Sequence, residues 1–167
     1  MMKRTFLFST LFIATIALHG QTFEVPVNYT MKTKADYVRY QQDVVSCFDF
    51  LMATPSNEEM DKRMDAGGFM MRWFSGSPYL NIEMNPKIVN FTEVNPDLAL
   101  IFMGGWMKQV VTTGDSSVVN GNLKGLESVI QYYQKNRDKL EKDAHVEKYI
   151  KMKEKGELEA FIKKNVE

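Results

Sequence analysis

Residues 98–111, LALIFMGGWMKQVV, constrain this chain more than any other stretch. From Leu98 to Met107 there is no charge, and apolar side chains fall on every side of a helix drawn through them. A helix that is apolar all round has to be surrounded by other elements. Ten residues are too few to cross a bilayer, which requires ~20. Gly104-Gly105 interrupts the run, and each glycine inside a helix costs ~1 kcal/mol relative to alanine. Such a pair is expected where close approach of a neighbour offsets that loss. The quartet Gly104-Gly105-Trp106-Met107 has a counterpart 37 residues earlier, Gly67-Gly68-Phe69-Met70. The spacing suits a helical-hairpin repeat, with coincidence as the alternative. Either way, both glycine pairs are expected where helices cross backbone to backbone in a dry interior. A nucleotide loop is excluded, because neither the G-x-G-x-x-G spacing nor a Gly-Lys-Ser/Thr ending is present.

Periodicity and capping residues place the other elements. Residues 21–32 contain Pro26 and read as an extended lead-in. Thr33 with Asp36 opens a first helix that runs to Thr54-Pro55, with Tyr37, Val44, Phe48 and Leu51 at helical spacing. Ser56 with Glu59 has the capping-box pattern and predicts a second helix to about Phe74, with Met60, Met64, Met71 and Phe74 on its buried face. Glu58–Lys62 and Glu59–Arg63 are favourably oriented i,i+4 pairs on it. Residues 79–94 alternate around Leu80, Ile82 and Met84 and predict a short β-hairpin turning at Asn85-Pro86-Lys87, or an irregular extended segment. Asn95-Pro96-Asp97 predicts a helix start and Gly114 its stop. After a polar loop over 115–121, helices are expected over 122–138, about 142–154, and 157–165. The expectation is a mainly α single domain over 21–167, a compact bundle of about five to six helices.

Residues 1–20 read as a signal peptide: Lys3 and Arg4, an apolar core from Phe6 to Leu18, then Leu18-His19-Gly20. The protein is therefore expected to be exported, periplasmic or extracellular, with no stable membrane span after cleavage. The whole chain carries 21 basic and 21 acidic residues, and removal of the leader takes two of the cations. Nucleic acid is excluded as a partner, since phosphate binding requires a clustered basic excess. Cys47 is the only cysteine, so no internal disulfide can form, and its apolar setting makes it a small core residue.

Catalytic signatures are missing: G-x-S-x-G and H-E-x-x-H are both absent. His145 lies among Glu141, Asp143, Glu147 and Tyr149, where an acid/base cluster competes with an ordinary histidine on a charged helix. The twelve methionines are unusual. Met60/Met64 and Met103/Met107 place two thioethers one turn apart, a Cu(I)-compatible arrangement, but coincidence with the expected buried stripes favours core packing. No metal or cofactor is expected. Arg72 beside Trp73, with Trp106, forms the candidate ligand-binding set, through stacking of a cation on large rings.

The segments NPDLALIFMGGW, GLESVIQYYQKN and KGELEAFI resemble the small exported helical proteins of unassigned function found in Bacteroidetes. The resemblance spans most of residues 33–165 and implies an all-helical periplasmic or surface protein, with no catalytic residue to carry over. Two functional readings stand: an interaction or ligand-binding domain that docks a peptide or another envelope protein, and a small envelope hydrolase or transferase whose carboxylates, such as Glu83 or Glu93, are assembled by the fold.

Overall fold

The structure, a computed structural model, describes residues 23–166. Among these residues are seven helices and no strand: α1 (Lys34–Arg39), α2 (Gln41–Ala53), α3 (Met60–Gly76), α4 (Leu98–Thr113), α5 (Val118–Lys135), α6 (Ala144–Glu154) and α7 (Leu158–Val166). The mainly α expectation holds, and the leader expected over 1–20 lies outside the described residues. No described helix is long and apolar enough to cross a membrane.

The expected first helix divides at Tyr40. Thr33 and Asp36 form the capping box, with the Asp36 N–H donating to Thr33 Oγ1 and the Thr33 N–H to Asp36 Oδ2. The Trp73 indole then donates to the Tyr37 carbonyl at 3.0 Å. That carbonyl would receive the Gln41 N–H in an unbroken helix, so a tertiary bond marks the bend. Tyr40 there turns its ring edge-on to Phe69.

Three other boundaries moved, two of them because residues expected to act locally bond across the fold. Ser56 does not cap α3: its N–H donates to Asn136 Oδ1 at 2.8 Å, Glu59 is left-handed (φ 47), and the helix begins at Met60. Asn95 does not cap α4: its amide reaches Glu141 O at 3.1 Å and Asp143 Oδ2 at 3.4 Å. The 115–121 loop ends early, since Ser117 caps α5 and Gly121 is helical. The expected β-hairpin over 79–94 is absent. The chain does reverse after Asn85, whose carbonyl accepts from the N–H groups of Ile88 and Val89. It then enters a 3-10 turn (Asn90–Glu93) that buries Ile88, Val89 and Phe91 on the helices. An isolated two-stranded ribbon would gain far less burial.

α4 is the central helix, contacted by α2, α3, α5 and the 3-10 turn, with its most extensive contact to α5. The glycines explain that closeness. A Cβ on Gly105 would lie 2.6 Å from the Lys124 carbonyl, which is backbone. A Cβ on Gly121 would overlap the Trp106 ring, and one on Gly125 would lie 2.7 Å from the Phe102 ring. α4 and α5 thus interlock, rings of one over glycines of the other. Gly104 faces Phe48 and Met70, and Gly67 faces Leu100.

The two quartets match in burial at three of four positions: Gly67 and Gly104, Phe69 and Trp106, and Met70 and Met107 are all buried. They differ at the second glycine. Gly105 lies under α5, whereas Gly68 is exposed with nothing within 4 Å of where its Cβ would be. The expectation that both pairs mediate backbone crossings therefore holds for Gly105 only.

The contrast is measurable by urea unfolding. Gly105→Ala should destabilise by about 2 kcal/mol, because backbone must move to admit the methyl group. Gly68→Ala should stabilise by about 0.5–1 kcal/mol through helix propensity alone.

Candidate functional site

α3 has two apolar faces. Ala66, Phe69, Met70 and Trp73 fill the interior. Met60, Met64 and Met71, expected to be core, are instead 62%, 70% and 43% exposed. Together with Gly67 and Gly68 they line an open groove of about 600 Å³, whose opposite wall is Pro96 with Ala99, Leu100 and Met103 of α4. α4 is therefore not enclosed on every side: its half-buried sector of Ala99, Leu100 and Met103 faces this groove. Met107 is fully buried, so the Met103/Met107 pair is split between groove and core.

One end of the groove is closed by Leu51, Ser56, Arg63 and Tyr132. Arg63 donates to the Leu51 and Thr54 carbonyls at 3.3 and 3.1 Å and to the Tyr132 hydroxyl at 2.6 Å. From α5, Lys135 donates to the Met52 carbonyl at 3.0 Å and to that of Ala53. The last turn of α2 contains no basic residue of its own. Cations from α3 and α5 take its free carbonyls and complement the negative end of the helix dipole. The expected Glu59–Arg63 and Glu58–Lys62 pairs accordingly do not form; Lys62 lies over the Phe23 and Phe50 rings, at 5.4 and 5.2 Å. Burial raises the Tyr132 phenol above its usual range, with Arg63 opposing the shift.

Arg72, Trp73 and Trp106 are not brought together. The Trp73 ring is 0% exposed with its indole N–H already donated to Tyr37, and Trp106 is 1% exposed against Gly121. Arg72 is exposed and stacks on neither ring, since its α3 neighbour Trp73 points to the opposite, interior side. The signal for the true groove was present: Met60, Met64, Gly68 and Met71 recur at helical spacing without a single branched aliphatic residue.

The polar cluster around His145 is structural. Asp143 is 0% exposed and caps α6 by accepting from the His145 and Val146 N–H groups, while its own N–H donates to the Tyr133 hydroxyl. Glu147 accepts from Tyr133 and pairs with Arg137 at 2.6 Å. The Tyr149 hydroxyl points elsewhere, to the Ile88 carbonyl and Asn90 Oδ1, both at 2.9 Å, and burial pushes it up to about 12. Glu83 and Glu93 are both exposed, outside the groove lining. Among the described residues no group of three His, Cys, Asp or Glu side chains is placed to hold a metal ion.

Cys47 is buried, and desolvation, aided by Asp43, raises its thiol to about 12. A raised folded value keeps the proton on the native thiol after the unfolded thiol has ionised. Its contribution to stability is thus complete below pH about 9 and lost as pH climbs toward about 12. Native protein at pH 8 should resist iodoacetamide, and Cys47→Ala should flatten the loss of stability above pH 9; rapid native alkylation would contradict this burial. Arg63→Ala should lower unfolding stability by about 2 kcal/mol, the scale of a lost charge-assisted hydrogen bond, with Arg63→Lys recovering part of it.

Comparison with family models, curated proteins and solved structures finds no match in any of the three. The groove between α3 and α4 is accordingly the feature on which a functional reading rests.

Proposed function

We propose that the chain is an exported, non-catalytic interaction domain whose α3–α4 groove docks an apolar helical segment of a peptide or of another envelope protein. The observation that carries this reading is Gly68. It lies in the middle of α3, where glycine costs about 1 kcal/mol relative to alanine, yet no group of the described chain comes within 4 Å of its missing side chain. At the matching position of α4, Gly105 is covered by α5. A helix laid over Gly68 would give α3 the neighbour that α4 already has.

The lining agrees with that role. Methionine is unbranched and polarizable, so a Met-lined surface adapts to different apolar side chains. Met60 and Met64, one turn apart, with Met71 two turns further on, offer contacts along a docked helix in the helix-in-groove manner. The export component rests on the leader-like residues 1–20.

A full chain labelled at the methionine ε-methyl groups tests the docking. Titration with a neutral helix-forming peptide of Leu and Gln should shift the Met60, Met64, Met71 and Met103 resonances and leave Met31, Met70 and Met107 in place. Gly68→Leu should abolish the shifts. An unchanged spectrum at about 1 mM peptide, the weak end of specific affinity, would overturn the proposal.

A further inference from the structure

We propose that the recess between the end of α5 and α6 is an anion site for a small molecule carrying a phosphate monoester. The recess has a volume of about 490 Å³, is lined by Tyr133, Arg137, Lys142, Glu147 and Lys151, and shares no residue with the α3–α4 groove. Three cations thus meet one carboxylate, in a chain whose basic and acidic residues are equal in number.

That one carboxylate is already engaged. Glu147 Oε1 accepts from Arg137 at 2.6 Å and from the Tyr133 hydroxyl at 3.3 Å. Glu147 and Lys151 have the i,i+4 spacing, and the order, that favour pairing along a helix. Glu159 and Lys163 on α7 make such a pair at 2.7 Å. On α6 the carboxylate turns instead to Arg137 and Tyr133. Lys151 and Lys142 are left with no ion-pair or hydrogen-bond partner among the described residues. Both ammonium groups keep all three donors for a ligand. Arg137 gives one Nη2 N–H to Glu147 and pairs with no other carboxylate, so part of its guanidinium fork remains for an oxyanion. The Tyr133 hydroxyl, bonded to Glu147 and to the Asp143 N–H, belongs to the buried floor of the recess.

The charge selects the class of ligand. Three cations against one carboxylate leave the lining at +2. A phosphate monoester, at about −1.5 to −2 near neutral pH, balances that charge, whereas a carboxylate or a sulfate ester brings a single negative charge. The recess is also of the size of small-molecule sites and exceeds the anionic group alone. Its lining, polar apart from the Tyr133 ring, suits a hydrophilic carrier such as a sugar.

The test uses the full chain in a phosphate-free buffer, with phenyl phosphate and phenyl sulfate as probes. The two share a ring and a tetrahedral anion and differ in charge. Titration followed by backbone amide NMR at low ionic strength should shift residues around Arg137, Lys142 and Lys151, with a Kd of about 1 mM or tighter for phenyl phosphate. Phenyl sulfate should bind about tenfold more weakly, and added salt should weaken both. Lys142→Gln/Lys151→Gln should cost about tenfold in phenyl phosphate affinity and leave the circular dichroism spectrum unchanged, since neither ammonium has a partner in the fold. Glu147→Gln removes the competing charge while keeping an oxygen for Tyr133 and Arg137, and should tighten binding several-fold; a purely structural Arg137–Glu147 pair predicts no gain. Absence of shifts at about 10 mM phenyl phosphate overturns the site. Equal affinity for the two esters overturns the dianion as ligand. Binding that survives the double lysine variant, or that moves the methyl resonances of Met60, Met64 and Met71 in the groove, overturns the location.

Discussion

The uncharged, apolar run Leu98–Met107 of α4 must be enclosed, and its enclosure sets the position of nearly everything else. Phe48 from α2 and Met70 from α3 meet it at Gly104, α5 at Gly105, and Phe91 from the 3-10 turn against Phe102. With no disulfide available, this burial is what holds the described chain together. The chain itself closes this run except along Ala99, Leu100 and Met103, which open on the groove. The unfilled side and the proposed docking surface are one and the same stretch of α4.

Enclosure at this density depends on shape. The α4–α5 contact places the Trp106 and Phe102 rings over Gly121 and Gly125, and brings the Lys124 carbonyl onto Gly105. Large side chains and bare backbone alternate across the seam, which raises dispersion contact without lengthening the interhelical distance. At the end of α2 the problem is electrostatic instead, and Arg63 and Lys135 solve it from two other helices. That arrangement also ties α2, α3 and α5 together where the groove closes, so the site has a rigid end and an open one.

The helical architecture was legible because its signals are local: hydrophobic period, Thr33 with Asp36, and Gly114, which stops α4 in the left-handed conformation at φ 72. What sequence reading misplaced was decided by distant partners. Ser56 and Asn95 look like caps, but Asn136, Glu141 and Asp143 claim them. Gly121 looks like a loop residue until Trp106 is seen to need its space. The site was only half legible. Arg72, Trp73 and Trp106 drew notice as large rings near a cation, yet ring size also fits a core, and the core has both tryptophans. The methionine stripe was visible but assigned inward, since periodicity identifies an apolar face without saying whether another element covers it.

The position of the methionines has a chemical consequence. Met31, Met70 and Met107 are sealed in the interior, whereas Met60, Met64 and Met71 are exposed. An oxidant would reach the second group first, and each sulfoxide formed would set a polar S=O in the trough while leaving the packed helices intact. Peroxide damage in this protein would therefore fall on the groove before it fell on the core.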